Sequence, residues 1–301
     1  MSHLPHSSVA ASPLRPTLGY GAIAFAATLW AIAAIVASYL FDAGIRPTEL
    51  TTARTVIAAI GLAMVYPQQV RRSRWLDWRI LGLGASLALV TITYYVAIER
   101  LSVAIAVVIQ YTAPTLVVLF TAIKTRRFPS TATFLAATTA LAGVTLITGV
   151  GNSDLALDAI GVTAAALSAF CFASYSLFSE ALVGQYGATG TMFRGFTISG
   201  LIWLGIQLTQ GVPAALLYLD VLPGILFIGI GGTLVPFSLL CWGIQQVQAD
   251  RGTIAATLEP VMSAILAWII LGQALSIAQL IGGALVIGAV TLLQIRQVKS
   301  S

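Results

Sequence analysis

Apolar residues run through this chain in blocks too long for a soluble core, and polar residues collect in short breaks between them. Ten such runs stand out, at about 18–41, 48–66, 79–98, 102–123, 131–149, 158–181, 189–209, 221–245, 252–271 and 276–294. A helix needs about 20 apolar residues to cross a bilayer core. Helices satisfy their own backbone in lipid, so runs of this length predict helices. A membrane β-barrel would instead show alternating segments of about ten residues. The expected fold class is therefore all-α: a polytopic membrane protein with ten transmembrane helices.

The breaks carry loop chemistry. Gly44 and Pro47 separate the first two runs, and Pro67 opens a basic linker with Arg71, Arg72 and Arg74. The stretch Gly149–Asp154 is the natural midpoint. Glu99-Arg100 and Gly272-Gln273 are links so short that they join antiparallel neighbours. Residues 1–17 read as a flexible tail, with a second short tail at 296–301. Run 18–41 is too long for the apolar part of a signal peptide and lacks a cleavage site, so it is expected to be retained.

Composition narrows the class of function. The chain has 301 residues, 58% hydrophobic and 8% charged, against about 25% charged in a soluble domain. A cytosolic enzyme, a nucleic-acid module and a disordered chain are excluded. The net charge of +5 is informative by position. With both termini cytoplasmic, Arg15, Arg71, Arg72, Arg74, Arg79, Lys124, Arg126, Arg127, Arg194, Arg251, Arg296 and Lys299 face inward. Arg46, Arg54 and Arg100 face outward. That imbalance follows the positive-inside rule. Basic residues do not interleave with aromatics as a nucleic-acid groove requires. Cys171 and Cys241 lie in apolar runs and read as packing residues. No metal cluster, phosphate loop or hydrolase motif occurs, so no catalytic residue, cofactor or metal is expected. The oligomeric state is open.

The two halves resemble each other. At an offset of 140, Gly44 meets Gly184, Thr51 meets Thr191 and Arg54 meets Arg194. At an offset of 146, Pro114 meets Pro260, Ser130 meets Ser276 and Val144-Thr145-Leu146 meets Val290-Thr291-Leu292. The expected units are a first five-helix repeat at 18–150 and a second at 151–295. Five spans per half is odd, so the second copy enters the membrane inverted. Carriers use this architecture to rock two halves about a midplane site. A duplicated structural bundle and a solute channel are the alternatives.

The segment 257–273, Thr-Leu-Glu-Pro-Val-Met-Ser-Ala-Ile-Leu-Ala-Trp-Ile-Ile-Leu-Gly-Gln, with Leu-Ile-Gly-Gly-Ala-Leu-Val-Ile-Gly at 280–288, resembles the closing segment of EamA-type carriers. Those carriers belong to the drug/metabolite transporter superfamily. Tyr-Thr-Ala-Pro-Thr-Leu (111–116) and Ala-Gly-Val-Thr-Leu (142–146) are the first-half counterparts. The resemblance spans roughly 20–294. It implies a 5+5 inverted repeat in the cell (inner) membrane, both termini cytoplasmic, and export or exchange of small metabolites. Amino acids, aromatic ones included, are a common cargo; other branches move sugars, nucleotide sugars, cations or drugs. The family often carries an acid after Leu-Gly at the ends of spans 4 and 9. Here those places hold Arg127 and Gln273, so no role of that acid is inherited.

Candidate binding residues follow from cost. Glu259 lies about seven residues into span 9, and a carboxylate there must be paired, solvated or protonated. It could bind a substrate ammonium, couple protons, or only stabilise the helix break at Pro260. Pro114 and Pro260 are expected kinks or hinges, because a proline frees the carbonyl four residues earlier. Arg54 and Arg194 are expected to gate the path or to snorkel to the interface. Trp30, Tyr94, Tyr95, Gln110, Tyr111, Tyr175 and Trp242 sit within spans. Such groups can orient a small solute by polar tips and apolar faces, or serve as interhelical glue.

Overall fold

The computed structural model describes residues 15–65, 77–101, 103–149, 158–211, 219–271 and 274–298. Most of the N-terminal tail, the linker Arg71–Arg74, the midpoint residues 150–154, Gly272-Gln273 and Lys299 lie outside the described residues. Everything regular that is described is helical: α1 (Pro16–Asp42), α2 (Pro47–Val65), α3 (Trp78–Arg100), α4 (Val103–Gln110), α5 (Ala113–Thr125), α6 (Thr131–Thr148), α7 (Ala159–Gln210), α8 (Leu222–Gly229), a π-turn (Ile230–Leu234), α9 (Val235–Val247), α10 (Ala249–Ala256), α11 (Leu258–Leu271) and α12 (Ile277–Val298). Among the described residues, nine helical segments are long and apolar enough to cross a membrane. The chain is a multi-pass membrane protein.

Three of the ten expected spans are assembled from pieces. The fourth is α4 followed by α5, the eighth is α8, the π-turn and α9, and the ninth is α10 followed by α11. Two others differ from expectation in the opposite sense. The sixth and seventh are not separated by a loop: Ala159–Gln210 (α7) is two helices that meet at a kink at Gly187 (φ 68°, ψ 169°). The chain folds back there, since Phe178 before the kink and Ile198 after it pack over Gly82 and Gly84 of the same helix, α3. Each arm is about 35–42 Å long, enough to cross a ~30 Å hydrocarbon core. The break holds Gly184-Gln185-Tyr186-Gly187 and no proline, so the helix resumes at the next residue.

Many hydroxyls along the helices are bound locally, as lipid favours. The hydroxyls of Thr51, Thr52, Thr55 and Thr93 each donate to the carbonyl four residues earlier at 2.7–2.9 Å. Ser130 caps α6 by accepting from the Thr133 N–H, and its offset partner Ser276 accepts from the Gln279 N–H ahead of α12. At the start of α2 the Glu49 carboxylate accepts from the Arg46 backbone N–H and its guanidinium. The Glu49 side chain thus ties down one free N-terminal donor, the Glu half of a capping box.

Glycines set the helix contacts. α6 crosses α12 where a Cβ on Gly143 would lie 2.7 Å from the Gly282 carbonyl, and one on Gly282 would lie 2.6 Å from the Gly143 carbonyl. Gly282 of α12 thus meets a neighbour in the same chain, whereas Gly288 has open space around a Cβ. α3 is pressed against α7, with Gly82 beneath Phe178, Gly84 beneath Ile198 and Gly195 beneath Leu83 and Leu87. α1 lies along α9, where Gly243 admits Ile23. Close backbone approach of this kind supplies the packing that holds helices together in lipid.

One end of the bundle is sealed. There the start of α1 meets the end of α9: the Arg15 N–H donates to Gln246 Oε1 at 2.9 Å, and Gly19 abuts Gln246 and Val247. Tyr20, Ile23, Ile244, Val247 and Ile254 fill this end and are buried. Glu180 of α7 accepts from the Ala249 N–H at 3.0 Å and caps α10. The joint between α9 and α10 is Gln248, at φ 75°.

Gly187 and Gly184 give a paired test. A Cβ at Gly187 must adopt a backbone conformation open to glycine alone, which costs about 1–3 kcal/mol. Gly184 has ordinary helical geometry and open space around a Cβ. Gly187→Ala is expected to lower the melting temperature of the detergent-purified protein, and Gly184→Ala to leave it unchanged or raise it.

Candidate functional site

The helix breaks converge. α4 stops at Gln110, Tyr111 and Thr112 form a turn, and α5 restarts at Ala113-Pro114. At the equivalent place in the second half, α10 stops at Ala256, Thr257 forms the turn, and α11 restarts at Leu258-Glu259-Pro260. In the eighth span Pro236 follows the π-turn. Pro236 has no N–H to give to the Gly232 carbonyl four residues back. Gly232 also lies so close to α1 that a Cβ would come within 2.7 Å of Ala33 Cβ.

A cavity of about 410 Å³ lies beside these breaks. Its walls come from the second half of α1 (Trp30, Ala33, Ala34, Ala37, Phe41), from Arg54 of α2, and from Val90, Thr91, Tyr94 and Tyr95 of α3. Gln110, Tyr111, Phe172, Ile228, Gly232, Phe237 and Glu259 complete it. These residues sit toward the end of the bundle where α1 finishes and α2 begins, opposite the sealed end. Phe41 and Tyr95, the lining residues nearest the ends of their helices, meet edge to face at 5.5 Å. The volume falls within the roughly 300–1,000 Å³ typical of small-molecule sites.

Among the described residues the cavity is lined by one basic and one acidic side chain, Arg54 and Glu259. Arg54 donates from Nε to Thr233 Oγ1 at 2.8 Å and from Nη2 to the Gly232 carbonyl at 3.1 Å. It thereby takes the carbonyl that Pro236 leaves unclaimed. Thr233 Oγ1 donates its own proton to the Ile228 carbonyl at 2.7 Å. Glu259 Oε2 accepts from the Tyr111 hydroxyl at 2.8 Å. Among the described residues Arg54 and Glu259 form no ion pair with each other or with another side chain. Around them stands an aromatic wall. Trp30 packs edge to face on Phe237 at 5.1 Å and on Phe172 at 6.5 Å. The guanidinium carbon of Arg54 lies 6.0 Å from the Phe237 ring centroid. Gln110 Nε2 donates to Ser168 Oγ at 2.8 Å, and Ser168 passes its proton to the Val90 carbonyl at 2.9 Å. That chain ties α4, α7 and α3 behind the wall.

Trp30, Arg54, Tyr94, Tyr95, Gln110, Tyr111 and Glu259 are thus brought to one cavity. Other expected residues are not. Tyr175 is fully buried, stacks on Phe172 and donates to the Phe237 carbonyl at 3.1 Å, so it buttresses the wall from behind. Trp242 lies on α9 away from the lining residues. Pro114 and Pro260 are buried behind the turns they follow and do not line the cavity. Neither arginine snorkels. Arg54 turns inward to the π-turn. Arg194 is 1% exposed, donates to the Gly190 carbonyl at 2.8 Å and stacks 4.0 Å over Tyr186. Phe172, Phe237 and the Gly232-Thr233 pair were not expected from the sequence. The sequence signal for them is Gly229, Gly231, Gly232 and Pro236 crowded into one apolar run, a pattern that breaks a helix within the membrane.

This chain belongs to the EamA-like transporter family, which matches residues 17–149 and again 159–295. It is therefore a membrane transporter of that family and not an enzyme. It is 25% identical over 283 residues to a protein of Salmonella typhimurium named as an uncharacterized inner membrane transporter, YicL, covering 91% of this chain and 94% of that protein. It is 26% identical over 228 residues to the threonine/homoserine exporter RhtA of Escherichia coli K12, covering 76% of this chain and 75% of RhtA. A solved crystal structure shares the fold, with a TM-score of 0.73 at 22% identity over 94% of this chain and 98% of that one.

Tyr175 and Tyr111 separate support from contact. Tyr175→Phe removes one buried hydrogen bond, worth about 1 kcal/mol. It is expected to lower thermal stability in detergent while leaving solute affinity unchanged. Tyr111→Phe removes a donor to a cavity carboxylate and is expected to change solute affinity. A melting series with increasing solute reads both.

Proposed function

We propose that the protein is a secondary transporter that moves amino acids, aromatic ones included, out of the cell or in exchange. The observation that carries this reading is the cavity itself. It is lined by one basic side chain, one acidic side chain and an aromatic wall, and the end of the bundle where α1 begins is closed by packed residues. The relative named as a threonine/homoserine exporter supports an amino-acid cargo.

In this reading the chain crosses the inner membrane ten times, α7 counting as two passes folded at Gly187. Its halves are inverted repeats. Three local correspondences support that: the Tyr111-Thr112 and Thr257 breaks, the Ser130 and Ser276 caps, and the sequence matches at both offsets. Both tails are cytoplasmic, as the basic residues suggest, so the sealed end faces the cytoplasm and the cavity faces outward. Rocking one half against the other would open the sealed end and close the Phe41–Tyr95 end. Energy comes from the solute gradient or from protons, and Glu259 is the titratable group in the cavity that would carry a proton.

Counterflow in proteoliposomes tests the reading. Saturable exchange of a labelled amino acid is expected, with trans-acceleration by unlabelled amino acid. Glu259→Gln is expected to abolish stimulation by a proton gradient. Flux of sugars or nucleotide sugars with no flux of any amino acid would overturn the cargo, and linear, non-saturating flux would overturn the carrier mechanism in favour of a channel.

A further inference from the structure

We propose that the cavity reads the two charged ends of an α-amino acid at separate poles, with Arg54 taking the carboxylate, Glu259 the ammonium, and the Trp30–Phe172–Phe237 wall an apolar side chain. This rests on the amino-acid reading above and adds which group holds which end.

Arg54 is aimed by its anchors. Two of its three nitrogens are committed, Nε to Thr233 and Nη2 to the Gly232 carbonyl, and Nη1 remains for a ligand. The anchor cannot turn away, because the Thr233 proton is already given to the Ile228 carbonyl and only lone pairs are left to face Arg54. The π-turn therefore works as a positioning element for the cation. Held in this way, the fork loses little freedom when it meets a carboxylate.

Glu259 shows the complementary arrangement. Tyr111 occupies Oε2, and Oε1 accepts no hydrogen bond among the described residues. An ammonium carries three donors and no acceptor, which suits an open carboxylate oxygen.

The pairing argument decides the ligand class. Arg54 and Glu259 lie on one cavity without contacting each other. An ionised group in an apolar site is costly until something neutralises it. An organic cation would satisfy Glu259 and leave Arg54, and an organic anion would do the reverse. A zwitterion satisfies both and adds no net charge. Seven of the other fifteen lining residues are aromatic, and Phe237 lies beside both Arg54 and Trp30. An apolar or aromatic side chain therefore stays next to its own carboxylate pole.

The test uses the full chain purified in detergent, with ligand affinity read from thermal stabilisation. The probes are L-phenylalanine, 2-phenylethylamine, which lacks the carboxylate, and 3-phenylpropionate, which lacks the ammonium. The wild type is expected to bind phenylalanine about tenfold to a hundredfold more tightly than either truncated probe. Arg54→Gln is expected to erase the preference for phenylalanine over 2-phenylethylamine and to keep the preference over 3-phenylpropionate. Glu259→Gln is expected to do the opposite. Arg54→Lys and Glu259→Asp keep the charges and are expected to restore part of each preference, which covers a neutral variant that fails to fold. Variants that lose both preferences together, or neither, would overturn the two poles while leaving amino-acid transport standing. A wild type that binds truncated probes as tightly as phenylalanine would do the same. A wild type that binds none of the three would overturn the amino-acid reading with it.

Discussion

A carbonyl inside a bilayer has no water to turn to, and this constraint organises the rest of the structure. Most of the chain meets it with unbroken helix and with threonine hydroxyls folded back on their own turns. Three places do not: the turn at Tyr111-Thr112, the turn at Thr257, and the π-turn before Pro236. Irregular backbone at this depth persists where it is buried in protein or lines a cavity, and the breaks lie beside one cavity. The groups that answer them are those that give the cavity its chemistry. Arg54 takes the carbonyl released by Pro236, and Tyr111, in the turn itself, supports Glu259. Arg54 thus both repairs the backbone at Pro236 and lines the cavity.

The two halves share some backbone features and differ in charge. Ser130 and Ser276 cap equivalent helices, and the breaks before Pro114 and Pro260 fall at matching positions. Yet the first-half counterpart of Glu259 is Ala113, a small buried residue. Arg54 reaches the cavity while Arg194 is folded onto its own helix. In the proposed mechanism the two like halves rock, and the unlike residues on them would orient a small solute. The sealing contacts at the other end are few and local: one hydrogen bond from Arg15, one cap from Glu180, and close packing at Gly19 and Gly243. A seal of that kind can separate without unfolding a helix.

Hydrophobic run length was enough to read the helical class and most spans, because lipid imposes that pattern directly. Burial cost picked out Glu259 and Arg54, since a charge within a span needs a reason. Other features were less legible. The direct joint between the two arms of α7 escaped because a kink at one glycine looks, in sequence, like a short polar loop. Arg194 looked like Arg54, because matched positions in a repeat do not reveal which way a long side chain turns. Tyr175 and Trp242 have the same composition as true lining residues, and only three-dimensional packing puts Tyr175 behind the wall. Phe172 and Phe237 are ordinary apolar residues in apolar runs, so nothing local marked them. The glycines and proline around 229–236 were the available clue, and they point to the π-turn through backbone chemistry.

The central claim is that the cavity is reached from one side of the membrane while the opposite end is closed. Thiol accessibility tests it most directly, because Cys171 and Cys241 are both buried and contribute little background. Ala34→Cys places a thiol on the cavity wall, and Ile23→Cys places one in the sealed end. In oriented vesicles without solute, a membrane-impermeant maleimide is predicted to label Ala34→Cys from the face opposite the tails and to leave Ile23→Cys unlabelled. Saturating amino acid is predicted to slow the first reaction. Labelling of Ala34→Cys from the face carrying the tails alone, or equal labelling of both positions, would contradict the account.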